Sequence, residues 1–218
     1  MREEVKLFPF YEKLTAAERE KLAGSARVHT FERGAQVHGG DCTGLILVLE
    51  GRLRAYILSE EGREITLFRV EKGGACLLSA SCVLRGLSVD VFIRADTAAR
   101  VLLVPSEVFR ELSESSLAVS AFTSEMMAER LSRALWVLDE VLNKKFDARL
   151  AALLVEEAGY AGGAEVRLTH EQLAAHLGTV REAVSRMLKY FEQEGLVSLS
   201  RGGVHIEDMA ALRALAGK

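Results

Sequence analysis

The chain has 218 residues, enough for one large domain or two small ones, and its 49% apolar and 27% charged residues are ordinary for a globular protein. A net charge of −3 lends no support to non-specific nucleic-acid binding, and no apolar run approaches the ~18–20 residues that span a bilayer. Three cysteines argue against a disulfide framework and suit a reducing cytoplasm, and the opening MREEVKLFPFYEKL lacks the apolar stretch of a signal peptide.

In chain order, residues 9–23 (PFYEKLTAAEREKLA) predict a short amphipathic helix, with Thr15 and Glu18 at capping-box spacing. From Val28 to Val104 short apolar or alternating runs (LILVLE, LRAYILS, EITLFRV, VDVFIRAD, RVLLVP) are broken by glycine-containing turns. Strands at intervals of roughly 8–12 residues with such turns predict an antiparallel sandwich, barrel or roll. Within them lies GGACLLSASC (73–82), whose Cys76 and Cys82 fit neither a C-x-x-C pair nor a sustained helix or strand pattern.

Pro105-Ser106 ends the β region, and residues 107–142 contain no glycine or proline. Leu117, Ala121, Ser124, Ala128, Leu131, Leu135, Leu138 and Leu142 step alternately by four and three, as a heptad seam does. Such a seam fits a helix packed on its own domain, but a continuous narrow one points to pairing with a second copy. A homodimer is expected. A further helix is expected over 147–158, ending at Gly159.

Residues 168–206 (LTHEQLAAHLGTVREAVSRMLKYFEQEGLVSLSRGGVHIE) read as a winged helix-turn-helix. Thr169 can cap the first helix, Leu173 and Leu177 face inward, and Ala174 allows close helix approach. Gly178 suits a turn at positive φ. Thr179 can cap the second helix, whose buried face is Val184, Met187 and Leu188. Val180, Arg181, Glu182, Ser185, Arg186 and Lys189 then lie on or near the exposed face, and LVSLSRGGVHIE supplies a wing that turns at Arg201-Gly202-Gly203.

An α-helix fits the major groove and presents side chains to base edges. Arg186 can donate twice to guanine, Glu182 can accept from cytosine, and Ser185 can bond either way. Thr169, Thr179, Arg201 and the backbone N–H groups at the helix start would hold phosphates. Overall charge gives no help, since residues 165–218 carry seven Lys/Arg and seven Asp/Glu. The stretch 179–190 alone is biased positive, with Arg181, Arg186 and Lys189 against Glu182.

With β-roll, long helix and winged helix in that order, the chain resembles the CRP/FNR superfamily of bacterial transcription regulators over nearly its whole length. VREAVSR is similar to the E-x-x-S-R recognition helix of the FNR branch. The resemblance implies an α+β protein with three parts. Residues 1–106 form an antiparallel, cyclic-nucleotide-binding-like jelly roll, 107–143 the dimerisation helix, and 144–218 the winged helix-turn-helix domain. It further implies Glu182, Ser185 and Arg186 as base readers, a palindromic site with TTGAT-like half-sites, and RNA polymerase as a further partner.

The resemblance breaks at the effector cassette. Cyclic-AMP receptors of the family carry G-E-x-x-G-E-L and then an Arg-Ser pair that clamps the phosphate. An ungapped match from Gly74 puts Ala75 and Ser79 where the glutamates belong, and Val89 and Asp90 where Arg-Ser belongs. Loss of the arginine fork and gain of Asp90 disfavour a buried phosphate. Ala134 and Leu135 fall near where those receptors present Thr-Ser to the base. Cyclic AMP is therefore not the expected effector. An N-terminal iron–sulfur cluster of the FNR type is not expected either, because no cysteine precedes Cys42.

Three readings of the cysteines stay open. They can pack as small hydrophobes. They can ligate haem or a metal, since the roll up to SASC is similar to that of CO-sensing haem regulators; Cys76, Cys82 and Cys42 are then the candidate thiolates. They can act as a thiol switch, which requires exposure and a lowered pKa. All three place the segment beside Met127, Leu131, Ala134 and Leu135, so that an event at 74–90 would shift the dimer helix. A hinge near Asn143–Phe146 would then re-aim the recognition helices, provided the effector prefers one arrangement. The alternative is a sensor or adaptor whose winged helix contacts protein. No nucleophile–base spacing, Walker loop or paired-carboxylate cleft suggests an enzyme.

Overall fold

In GLILVLE every position but the last is apolar, and each side of the strand it forms has its own use. In the computed structural model, which describes residues 3–39, 43–77 and 90–217 (the side chain at 140 aside), this run is β3 (Gly44–Glu50). Leu45, Leu47 and Leu49 pack into one core cluster and Ile46 and Val48 into another.

The second cluster lies between two four-stranded antiparallel sheets. One has β1 (Arg27–Phe31), β8 (Ala99–Pro105), β3 and β6 (Ala75–Cys76) in that order; the other has β2 (Gln36–Gly39), β7 (Phe92–Ala95), β4 (Arg52–Leu58) and β5 (Glu64–Glu71). Register is set by pairs such as Arg27↔Leu103, Leu45↔Val104 and Arg54↔Arg94. Alternation sends Leu53, Ala55, Ile93 and Ala95 inward to meet Ile46, Val48 and Val101. The expected antiparallel roll is present.

The outer side of the first sheet carries the helices. Leu22 of α1 (Ala16–Ser25), Phe109 and Leu112 of α2 (Ser106–Ser115), and Val119, Phe122 and Met126 of α3 (Leu117–Asn143) cover Leu45, Leu47, Leu102 and Val104. Phe8 and Phe10 join them, with Phe10 edge-on to Phe122 at 5.0 Å between centroids.

Residues up to Leu58 together with Leu67–Ala134 make one compact unit; Ser59–Thr66 and the residues from Leu135 onward make a second. The second unit has its own core. Leu150 and Leu154 of α4 (Phe146–Ala161), Leu173 and Leu177 of α5 (His170–Leu177), and Val184, Leu188 and Phe191 of α6 (Arg181–Gln193) are its centre. A three-stranded sheet of β9 (Glu165–Val166), β10 (Val197–Ser200) and β11 (Gly203–Ile206), with α7 (Met209–Leu215), closes it. No helix among the described residues is long and apolar enough to cross a membrane.

Several local expectations are corrected. The helix expected from residue 9 begins only at Ala16, because the Thr15–Glu18 capping box starts it there and Phe8 and Phe10 are drawn into the core. The glycine-free stretch 107–142 is two helices, divided at the buried, extended Ser116. The helix expected to end at Gly159 continues to Ala161. The left-handed residue that stops it is Gly162, with φ of 68°.

Candidate nucleic-acid interface

Thr169 caps α5, as its sequence suggested, and does so through a capping box with Gln172. Its hydroxyl accepts from the Gln172 N–H at 3.2 Å, and the Gln172 side chain accepts from the Thr169 N–H at 2.9 Å. The helix stops at Gly178, whose φ of +65° is left-handed and whose added Cβ would lie 2.9 Å from the Ile65 side chain. The next N–H, that of Thr179, donates back to the Ala174 carbonyl at 3.0 Å. Thr179 is thus used to end α5, and the expectation that it caps α6 is corrected. Val180 holds that place, in extended backbone and without a side-chain cap.

An uncapped start leaves the first N–H groups of α6 without intrahelical acceptors, at the positive end of the helix dipole. That is where a phosphate oxygen is best received. Along α6, Val184, Leu188 and Phe191 are buried, while Arg181, Glu182, Arg186 and Lys189 are exposed. Among the described residues, none of those four side chains makes a hydrogen bond or ion pair within the chain. Glu182, Ser185, Arg186 and Lys189 share one face, three or four residues apart. Arg201 is exposed at the turn between β10 and β11, where Ser200 faces Gly203 across the hairpin.

Ser185 is half-buried, and its Oγ lies 2.8 Å from Nδ1 of His170, the first residue of α5. Burial, and then the nearby Arg181 guanidinium, hold the His170 pKa below its ordinary 6.5. The folded protein therefore binds this proton less readily than the unfolded chain. As pH falls through 6.5 towards the lower folded value, the unfolded chain protonates first and this group's contribution to stability declines. An NMR titration of His170 will find its midpoint below 6.5; a midpoint at or above that value would contradict the burial seen here.

In the first unit, Gly74, Cys76 and Asp90 are described, whereas Ser79, Cys82, Val89 and Cys42 lie outside the described residues. A Cβ on Gly74 would meet the Val70 side chain at 2.9 Å and the Glu71 carbonyl at 3.0 Å, so the bend into β6 leaves no room for one. Cys76 is fully buried, pairs with Ile46 and belongs to the core between the sheets. Asp90 is exposed. Among the described residues no three His, Cys, Asp or Glu side chains cluster closely enough to hold a metal ion.

Of the α3 residues expected beside this segment, Met127 packs against the helix-side core, whereas Leu131, Ala134 and Leu135 are exposed in the single chain. Among the described residues, Arg130 reaches the segment at Ala75. It is 9% exposed, donates from Nη2 to the Ala75 carbonyl at 2.9 Å and lies 4.2 Å from the Phe68 ring centroid. Its Nε is buried without a hydrogen-bond partner.

Residues 148–215 match the Crp-like helix-turn-helix domain. The whole chain is similar to a transcriptional regulator of the Crp/Fnr family from Eubacterium rectale, whose crystal structure is 40% identical. It superposes with a TM-score of 0.95 over 98% of this chain and 100% of that one. The chain belongs to the CRP/FNR family. It is also 29% identical to the transcriptional regulator SdrP of Thermus thermophilus, over 78% of this chain and 82% of that protein. The HTH-type transcriptional regulator Cmr of Mycobacterium tuberculosis is likewise 29% identical, over 89% of this chain and 78% of that one.

CRP/FNR proteins are transcription regulators that bind DNA and act as dimers, and they are not enzymes. In this CRP/FNR chain two polar side chains escaped sequence reasoning. Arg130 had a signal: it follows Val119, Phe122 and Met126 at steps of three or four, a basic residue on an otherwise apolar, buried stripe. His170 had none, because its partner lies on another helix.

Proposed function

We propose that the chain is a homodimeric regulator in which residues 1–106 sense, 107–143 pair and 144–218 read a palindromic operator in the cytoplasm. Glu182, Ser185 and Arg186 read bases, and Lys189 holds a phosphate. Thr169, Thr179, Arg181, Arg201 and the open start of α6 hold phosphates. The observation that carries this reading is the face of α6 itself: exposed charged groups, without partners among the described residues, backed by the fully buried Val184 and Leu188. Half-sites are TTGAT-like, by similarity of VREAVSR to the FNR-type helix, and RNA polymerase is the further partner.

The effector site is the segment 74–90 with α3. Arg130 joins Met127, Leu131, Ala134 and Leu135 there, because its contact with Ala75 links that segment to the helix whose seam is exposed. Cyclic AMP is not the effector, for want of the phosphate clamp at Ala75, Ser79, Val89 and Asp90. The buried Cys76 supports a packing role for that thiol.

The test is selection from a randomised duplex library by the full chain. Enrichment of one short sequence in two inverted copies, unchanged by added cyclic AMP, is the expected result. No enriched sequence would overturn the reading and favour a winged helix that contacts protein.

A further inference from the structure

We propose that His170 is a specificity-determining positioning residue, which sets the direction in which the Ser185 hydroxyl bonds to DNA. This rests on the reading of α6 as the base-reading helix. A serine hydroxyl has one donor hydrogen and two acceptor lone pairs, and a free rotor can offer either to a base. Ser185 is not a free rotor. Its Oγ is held 2.8 Å from Nδ1 of His170, where the start of α5 meets α6.

A neutral imidazole has one nitrogen that donates and one that accepts. If Nδ1 accepts, the serine hydrogen is committed and only lone pairs face outward, towards an amino group of adenine or cytosine. If Nδ1 donates, the hydrogen is released and can seek guanine O6, N7 or thymine O4. The tautomer therefore decides whether Ser185 can donate to a base: with Nδ1 accepting, it can only accept from one, and with Nδ1 donating, it keeps its hydrogen beside one lone pair. Glu182 and Arg186, whose charges have no partner among the described residues, flank Ser185 on the same face, so its direction is read between two other readers.

The imidazole is itself well placed to be rigid. It is half-buried at the first position of α5, within the Thr169–Gln172 capping box, which fixes the backbone from which it projects. That box is made by Thr169 and Gln172 alone, so His170 can be replaced without removing the cap.

The experiment is the same randomised-library selection, run with the wild type, His170→Ala, His170→Asn, Ser185→Ala and His170→Ala/Ser185→Ala. The wild type is expected to prefer one base at the position under Ser185. His170→Ala is expected to lower that preference about two- to tenfold, the worth of one hydrogen bond, and to leave other positions and affinity for scrambled DNA unchanged. Asparagine, which can place a polar atom where Nδ1 stands, should restore part of it. In the Ser185→Ala background His170→Ala should have no further effect. If wild type and His170→Ala enrich the same sequence equally sharply, the proposal is overturned and the reading of α6 survives. If His170→Ala weakens all positions alike, or acts equally without Ser185, its role is structural and the proposal is overturned. If the wild type enriches nothing, the functional reading falls and this one with it.

Discussion

Replacing Arg186 by alanine is expected to weaken binding to the selected operator by about 1–3 kcal/mol, roughly 5- to 150-fold, while binding to a scrambled duplex falls far less. Glu182→Ala should act in the same way at a different base. Both side chains are exposed and make no hydrogen bond or ion pair within the chain among the described residues, so their loss leaves the fold intact. Alanine is also the best helix former, and stability should change by no more than about 0.5 kcal/mol. Lys189→Ala supplies the contrast. As a phosphate contact it should weaken all duplexes alike and reduce the salt slope by about 1. Fluorescence anisotropy at several salt concentrations separates the two behaviours. If Arg186→Ala weakened specific and scrambled DNA equally, α6 would not be the base-reading element.

The second large effect concerns α3. Its buried stripe, Val119, Phe122 and Met126, satisfies its own unit. Its other side leaves Leu131, Leu135, Leu138 and Leu142 exposed by 61%, 57%, 52% and 70%. Leucines left this bare over three turns of helix are what a second copy would cover, each full burial being worth about 1.5–3 kcal/mol. Leu135→Glu with Leu138→Glu places like charges opposite one another in the paired helices. The mass measured by sedimentation should halve. Operator affinity should fall by about 10²–10⁴, because two half-sites bound by separate chains lose the gain of linkage. A variant that remains a dimer of unchanged affinity would place the dimer contact elsewhere.

These two predictions draw on parts of the chain that local sequence made legible. The cap at Thr169, the turn at Gly178 and the stripe Val184–Leu188 are set by neighbours within a few residues, and each stands as its spacing implied. Thr179 did not, because ending one helix and starting the next compete for the same residue, and the back-bond to Ala174 won. The antiparallel roll was legible as a class. Its pairings, such as β1 with β8 some 70 residues on, were not, since a strand's partner leaves no local mark. Arg130 and Ala75 are 55 residues apart, and His170 and Ser185 are 15 apart on different helices. Such contacts arise only once the fold has brought two elements together. Leu131 and Leu135, expected beside the sensing segment, are exposed in the single chain, and the contact of α3 with Ala75 is made by Arg130.

The doubly buried β3 has one more consequence. A strand with one wet face is indexed by its polar residues, because a slip of one position would turn them inward. GLILVLE contains almost no such index marks, as both of its faces are apolar. Its alignment rests on two end stops instead. A side chain at Gly44 would bring its Cβ within 2.0 Å of the Val104 carbonyl oxygen, and one at Gly51 within 2.2 Å of that of Ala98. Sliding the strand one way drives Leu45 into the first slot, and sliding it the other way drives Glu50 into the second. Neither slot has space for a side chain, so the wall shared by the roll and its helices is gauged by the two places where nothing projects.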